Sequence, residues 1–251
     1  MKPLSIPVGD SFIEGTLFHP DELSGPSPGL LLIHGWGGTE DHYRRGALQL
    51  SGAGAICFTI TLRGHGNTSD QQDCVSRTDN LHDTLTAFDR LAAEQGVDPE
   101  RLGVVGSSYG GYLAALLTRE RNVRWLGLRA PALYKDEGFS LPKKQANKDP
   151  DLHAFRRRRV TPSDNQVLEC CANFKGDVLL VESEHDTVIP HQVVANYRDA
   201  LHKARSLTHH VIQGADHALS NPEHRHEYEE VLRKWFKGHF AYGRGPTAGG
   251  P

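Results

Sequence analysis

Five residues, Gly106-Ser107-Ser108-Tyr109-Gly110, lie between an apolar run and a helix-forming stretch. A serine at the centre of G-x-S-x-G stands on a sharp strand-to-helix turn, where the flanking glycines let two backbones approach without side-chain collision. Its hydroxyl is then raised at a helix N-terminus, whose partial positive charge favours a developing oxyanion. Such a serine attacks carbonyls, and for that it needs a base, an acid to orient the base, and donors for the oxyanion. Residues 181–190 leave an apolar run and enter a loop that Pro190 ends by starting the next helix. Asp186 in that loop is the acid, with Glu184 and Glu182 as rivals. Gly214-Ala215-Asp216-His217-Ala218 follows the last apolar run, so His217 completes the order Ser, Asp, His. Among fifteen histidines, position rather than residue type singles it out. Asp216 is poorly placed to orient its own neighbour and reads as structural.

The oxyanion donors are expected from backbone N–H groups. One belongs to Tyr109, directly after the nucleophile; the other belongs to the early loop His34-Gly35-Trp36-Gly37-Gly38, at Trp36. The side chains of Trp36 and Tyr109 are candidates to line the substrate site, whereas Tyr112 reads as core and His34 as a residue that packs the loop. Arg63 and His65 read as holding a loop near the site. Arg156-Arg157-Arg158-Arg159 and Lys143-Lys144 read as solvated faces, given the acidic overall balance.

Positioning these residues takes a particular set of elements. Residues 4–8 and 11–18 alternate around Gly9-Asp10 as an antiparallel hairpin does. Continuous apolar runs at 30–33, 55–60, 102–105, 125–128, 178–181 and 209–212 predict strands buried on both faces, as in a parallel sheet covered by helices. Helical stretches are predicted at 42–50, 81–95, 109–118, 192–203 and 224–236. The alternation implies an α/β fold with a mostly parallel sheet, eight-stranded once the hairpin is counted. Residues 131–166 are polar and break the rhythm, so a short cap insertion over the sheet's C-terminal edge is expected. Residues 1–240 form one domain in this reading, and 241–251, rich in Gly and Pro, a disordered tail.

Bulk properties narrow the function. A chain of 251 residues fits one α/β domain. A net charge of −3 gives no pull toward nucleic acid or anionic lipid, and no apolar segment is long enough to span a membrane. The N-terminus lacks the apolar run of a secretory signal, so a cytoplasmic location is expected. Cys57, Cys74, Cys170 and Cys171 have neither metal-site nor disulfide spacing and read as idle thiols. No P-loop, dinucleotide or HExxH motif appears; no metal and no cofactor is expected, since a triad with an oxyanion hole performs acyl transfer unaided.

From about Ile13 to Phe236 the sequence resembles the α/β-hydrolase superfamily. Ser108-Tyr109-Gly110-Gly111-Tyr112 is similar to the nucleophile segment of the prolyl-oligopeptidase and acylaminoacyl-peptidase branch and its dienelactone-hydrolase-like relatives. Leu62-Arg63-Gly64-His65-Gly66 and Gly214-Ala215-Asp216-His217 are similar to loops found throughout the superfamily. The resemblance implies strand order 1-2-4-3-5-6-7-8 with strand 2 antiparallel, and supports Ser108, Asp186 and His217 in their roles. Two departures stand out: no room is expected for the propeller of the peptidases, and the elbow holds Ser108 where dienelactone hydrolases use cysteine. The expected activity is hydrolysis of a small-molecule carboxylic ester. Short-peptide peptidase, amidase or thioesterase activity is the alternative, and a non-catalytic binding protein on the same fold is the alternative of another class.

Overall fold

The computed structural model describes residues 1–22 and 25–242. The 131–166 insertion is described throughout; of the expected disordered tail, residues 241 and 242 instead continue the last helix, and 243–251 lie outside the described residues. The N-terminal hairpin forms as β1 (Lys2–Val8) and β2 (Ser11–Phe18), turning at Gly9 with φ +59°. The apolar runs become β3 (Ser27–Ile33), β4 (Ile56–Thr61), β5 (Val97–Ser107), β6 (Trp125–Arg129), β7 (Asp177–Ser183) and β8 (Ser206–Ile212). They join in one eight-stranded sheet, β1-β2-β4-β3-β5-β6-β7-β8. β2 is antiparallel to both neighbours and every later pairing is parallel, as the resemblance implied.

Helices cover both faces because successive residues of a buried strand point to opposite sides. Leu31 and Ile33 of β3 enter a core closed by α2 (Arg77–Ala92), α3 (Tyr109–Glu120), α6 (Gln166–Asn173) and α7 (His191–Ala200). Leu30 and Leu32 enter the opposite core, under α1 (Asp41–Gly52) and α8 (Pro222–Tyr242). The edge strand β8 is largely exposed rather than buried on both faces. Several boundaries move, two of them for a visible reason. α2 starts at Arg77, not 81, because Ser76 and Asp79 form a reciprocal capping box. β5 starts at Val97, where Ser27 pairs with it. Between β6 and α6 lie the single turns α4 (Lys143–Ala146) and α5 (Leu152–Arg156), tied to the body by the isolated bridge Ser76–Pro142. Among the described residues no helix is long and apolar enough to cross a membrane.

The β5–α3 junction is where side chains must be absent. A Cβ on Gly106 would stand 2.2 Å from the Gly110 carbonyl oxygen, and one on Gly110 would stand 2.3 Å from that of Ile33. Both clashes are with backbone and cannot be relieved by a rotamer change. Gly110→Ala is therefore expected to lower unfolding stability by at least about 1–3 kcal/mol. Gly46→Ala on α1, where nothing lies within 4 Å of the added carbon, should be neutral or stabilising by up to about 1 kcal/mol. Urea denaturation of the pair checks this; equal effects would contradict the close approach.

Candidate active site

Ser108 occupies a backbone conformation that L-residues rarely adopt, φ 52° and ψ −114°. The turn is pinned from both sides: the Ser108 N–H donates to Arg129 O at 2.8 Å, and its carbonyl accepts from Ala132 N at 2.9 Å and Tyr112 N at 3.1 Å. The half-buried hydroxyl lies 3.1 Å from His217 Nε2, and His217 Nδ1 lies 2.7 Å from Asp186 Oδ2. The Asp186 side chain is 2% exposed and that of His217 18%. Burial raises the Asp186 carboxyl, but hydrogen bonds from His217 and from the Ile189 and Val188 N–H groups outweigh it and hold the pKa below the ordinary value. The carboxylate accepts, so Nδ1 of His217 carries the proton and Nε2 is left to accept from Ser108.

The loops bearing Asp186 and His217 are fastened to each other. Glu184 N donates to Ile212 O and His185 N to Ala215 O, at 3.1 and 2.8 Å. Glu184, a rival for the acid, spends its carboxylate on the Gly214 N–H at 2.7 Å. Glu182, the other rival, binds His191 and His209. Asp216 accepts from Ser220 N at 2.8 Å and shapes the turn after its neighbour.

The Gly-rich loop lies against the elbow: a Cβ on Gly35 would touch Ser107 O and Ser108 Cβ, both at 3.4 Å. The Trp36 ring meets Tyr109 edge-on at 5.5 Å between centroids and His65 at 4.7 Å. Tyr109 begins α3, so its N–H is among those without an intrahelical acceptor. Fully buried His34 bridges this loop to the next, with Nδ1 2.7 Å from Gly35 O and Nε2 3.1 Å from Leu62 N. Nδ1 donates and Nε2 accepts, a pattern only the neutral ring provides. Burial, reinforced by the nearby His65, lowers its pKa to about 3. Arg63 pairs with buried Asp83 at 2.6 Å and His65 contacts Arg63 O at 3.2 Å, holding the adjoining loop. Tyr112 is core, its hydroxyl accepting from Arg77.

Sequence reasoning overlooked Arg129, which ends β6. Its Nη2 donates to His217 O at 2.8 Å and its Nε to Ser107 Oγ at 3.1 Å, while Ser107 Oγ is 2.5 Å from the Tyr43 hydroxyl. A charged residue terminating a buried apolar strand was the available signal. Lys143 requires a correction: it is fully buried rather than solvated, while Lys144 is exposed. Of the arginine run, Arg157, Arg158 and Arg159 are exposed but Arg156 is half-buried over the Tyr134 ring. Among the described residues no group of three or more His, Cys, Asp or Glu is spaced to hold a metal ion.

Two predictions follow from this geometry. Ser108→Ala should lower kcat on the order of 10⁴–10⁶-fold. Ser107→Ala should keep most activity but lose about 1–3 kcal/mol of stability, since it leaves the buried Arg129 Nε–H without its acceptor. Exchanged losses would move the nucleophile by one residue. Neutral His34 makes the second prediction. Its folded pKa is depressed, so its stabilisation is complete above about pH 6.5 and is lost as pH falls toward about 3. In that window the unfolded chain binds the extra proton, and stability drops by about 1.4 kcal/mol per pH unit from this group alone. Denaturation of His34→Gln between pH 6.5 and 4.5 should show a slope shallower by about that amount; an unchanged slope would contradict it.

The protein resembles solved structures along nearly its whole length. Est1E from Butyrivibrio proteoclasticus with ferulic acid bound is 17% identical, with a TM-score of 0.73 over 95% of this chain and 99% of that one. Carboxyl esterase 2 from Tuber melanosporum is 21% identical, with a TM-score of 0.68 over 95% and 86%. The acylaminoacyl peptidase of Pyrococcus horikoshii is 15% identical, with a TM-score of 0.71 over 94% of this chain but 41% of that one. At these identities the likeness establishes the α/β-hydrolase fold. Residues 41–242 match the prolyl oligopeptidase family model, which spans every residue of the Ser108 site except those of the early Gly-rich loop. The chain belongs to the prolyl oligopeptidase family of α/β-hydrolase-fold serine hydrolases.

Proposed function

We propose that this serine hydrolase cleaves carboxylic esters through an acyl-enzyme, with Ser108, His217 and Asp186 as its catalytic triad. The observation that carries the reading is the hydrogen-bonded series Ser108 Oγ–His217 Nε2 and His217 Nδ1–Asp186 Oδ2, at 3.1 and 2.7 Å. Ser108 Oγ attacks the ester carbonyl as its proton passes to His217 Nε2, and Asp186 stabilises the imidazolium. Backbone N–H groups of Trp36 and Tyr109 form the oxyanion hole. The tetrahedral intermediate collapses, His217 gives its proton to the departing alcohol, and the acyl group stays on Ser108. Water then attacks under His217 as base, releasing the acid and restoring the serine. The segment between β6 and α6 acts as a short cap over this site, and the partly exposed side chain of Trp36 borders the substrate, whereas that of Tyr109, expected beside it, is fully buried with its hydroxyl donating to Asn80 Oδ1. No cofactor enters the reaction, and the ligand is a small or medium ester.

Ester preference over peptide follows from positioning. An amide has a poor leaving group that must be protonated in place while the chain is held in register. A half-buried Ser108 under a cap whose helices are two single turns gives little such enclosure. The family name and the acylaminoacyl peptidase neighbour favour peptide hydrolysis as the second reading. The discriminating measurement is kcat/KM on a p-nitrophenyl ester against the matched aminoacyl p-nitroanilide. A ratio of at least about 10³, roughly 4 kcal/mol, is expected. Comparable rates would make the peptidase reading the leading one.

A further inference from the structure

Tyr134, in the segment between β6 and α6, collects three cations around its ring beside the Ser108 site, Lys143 and Arg156 from its own segment and Arg77 from α2. The Arg77 and Arg156 guanidinium carbons and Lys143 Nζ lie 5.5, 4.9 and 4.6 Å from the Tyr134 centroid. Lys143 is 0% exposed, and its Nζ also lies 4.6 Å from the Trp36 ring centroid and 4.9 Å from that of Tyr109. The arginines spend donors on carbonyls, Arg77 on Lys135 O and Glu137 O and Arg156 on Leu133 O. Lys143 donates to Asn147 Oδ1 and to the Tyr134 hydroxyl, which uses two of its three N–H groups.

What the cluster lacks is a carboxylate; its acidic group is the Tyr134 hydroxyl, which burial raises but Lys143 and Arg156 hold below the ordinary tyrosine value. Among the described residues none of the three cations lies within ion-pair distance of a carboxylate, and three acids of the region are engaged elsewhere. Asp149 pairs with Lys135, Asp73 with Lys144, and Asp136 accepts from Gln166 N and Asn165. Ring faces attract a cation but carry no net charge to neutralise it. A buried ammonium beside two guanidinium groups is therefore costly until an anion arrives. Burial, with the added repulsion of Arg156 and Arg77, accordingly depresses the Lys143 pKa, while Tyr134 opposes the shift.

The surroundings identify the part of a substrate that reaches this cation. The alcohol of an ester must leave beside His217 Nε2 to take its proton. The rings under the ammonium belong instead to Trp36 and Tyr109, and in the oxyanion hole proposed above the carbonyl oxygen lies toward these two residues, so the acyl chain runs on their side. We propose that Lys143 receives a carboxylate at the far end of the acyl group, so that the substrates are monoesters of dicarboxylic acids. This rests on the ester reading above. Contact requires the ammonium to swing from the rings toward Ser108, which its flexible four-carbon stem permits. α4 is a single turn anchored by Lys143 N to Val75 O at 2.7 Å, so the side chain moves without unravelling a long helix.

The test compares p-nitrophenyl glutarate monoester with p-nitrophenyl valerate. The protein should favour the anionic ester by roughly 10- to 100-fold in kcat/KM, the range of a charged hydrogen bond. Lys143→Met, which keeps the apolar stem, should bring that ratio close to one, and Lys143→Arg should restore part of it. Calorimetry on Ser108→Ala supplies a readout independent of turnover: the p-nitrophenyl glutarate monoester should bind at least tenfold tighter than the neutral p-nitrophenyl valerate, and adding Lys143→Met should abolish the difference. If neither ester is cleaved while the glutarate monoester still binds through Lys143, the ester reading fails and the anion site stands. Esters cleaved without preference, with an unchanged ratio in Lys143→Met, would overturn the proposal. So would equal gains on both esters in that variant, which would make the lysine a plug, or the glutarate monoester binding no tighter than the valerate ester.

Discussion

The site depends on a close approach between β5 and α3 that leaves no room for side chains at Gly106 and Gly110. That approach forces Ser108 into its strained conformation and directs its hydroxyl away from the core, into reach of His217. Strain of this kind persists only where the surroundings over-determine it. Here they do so through the backbone hydrogen bond that Ser108 donates to Arg129 and the two it accepts from Ala132 and Tyr112, and through the Gly35 loop against the turn. The parallel sheet makes this possible, since β3, β5, β6, β7 and β8 all deliver their C-terminal ends to one edge.

A second tier of buried polar groups keeps the elements in register. Neutral His34 joins the loop after β3 to the loop after β4. Arg129 joins the end of β6 to the loop of His217 and, through Ser107, to Tyr43 on α1. Glu184 joins the end of β7 to the turn after β8. Each of these side chains resembles a catalytic candidate by type alone. Each is instead committed to fixing a loop, which leaves Asp186, among the described residues, as the one acid bonded to His217.

What was legible in the sequence was what local geometry dictates. G-x-S-x-G encodes its own backbone demand, and Pro190 marks where the Asp186 loop ends, so Ser108 and Asp186 could be located without coordinates. The strand order came from resemblance rather than periodicity, because apolar runs reveal that strands are buried but not which are neighbours. The start of α2 was missed since Arg77 and Asn80 are polar, yet both are buried by partners distant in sequence: Tyr112 and the carbonyls of residues 135 and 137 for Arg77, Tyr109 for Asn80. Lys143 was misread for the same reason. A lysine pair in a polar stretch reads as solvated until Trp36, Tyr109 and Tyr134 arrive from three other segments to cover it.

The most direct measurement of Ser108 as the acylated nucleophile is acid quenching during steady turnover of a p-nitrophenyl ester, followed by peptide mass spectrometry. The expected result is the acyl mass on the peptide carrying Ser107 and Ser108, with fragmentation assigning it to Ser108. Undiminished turnover with that peptide unmodified, or with the acyl group on another residue, would contradict the mechanism.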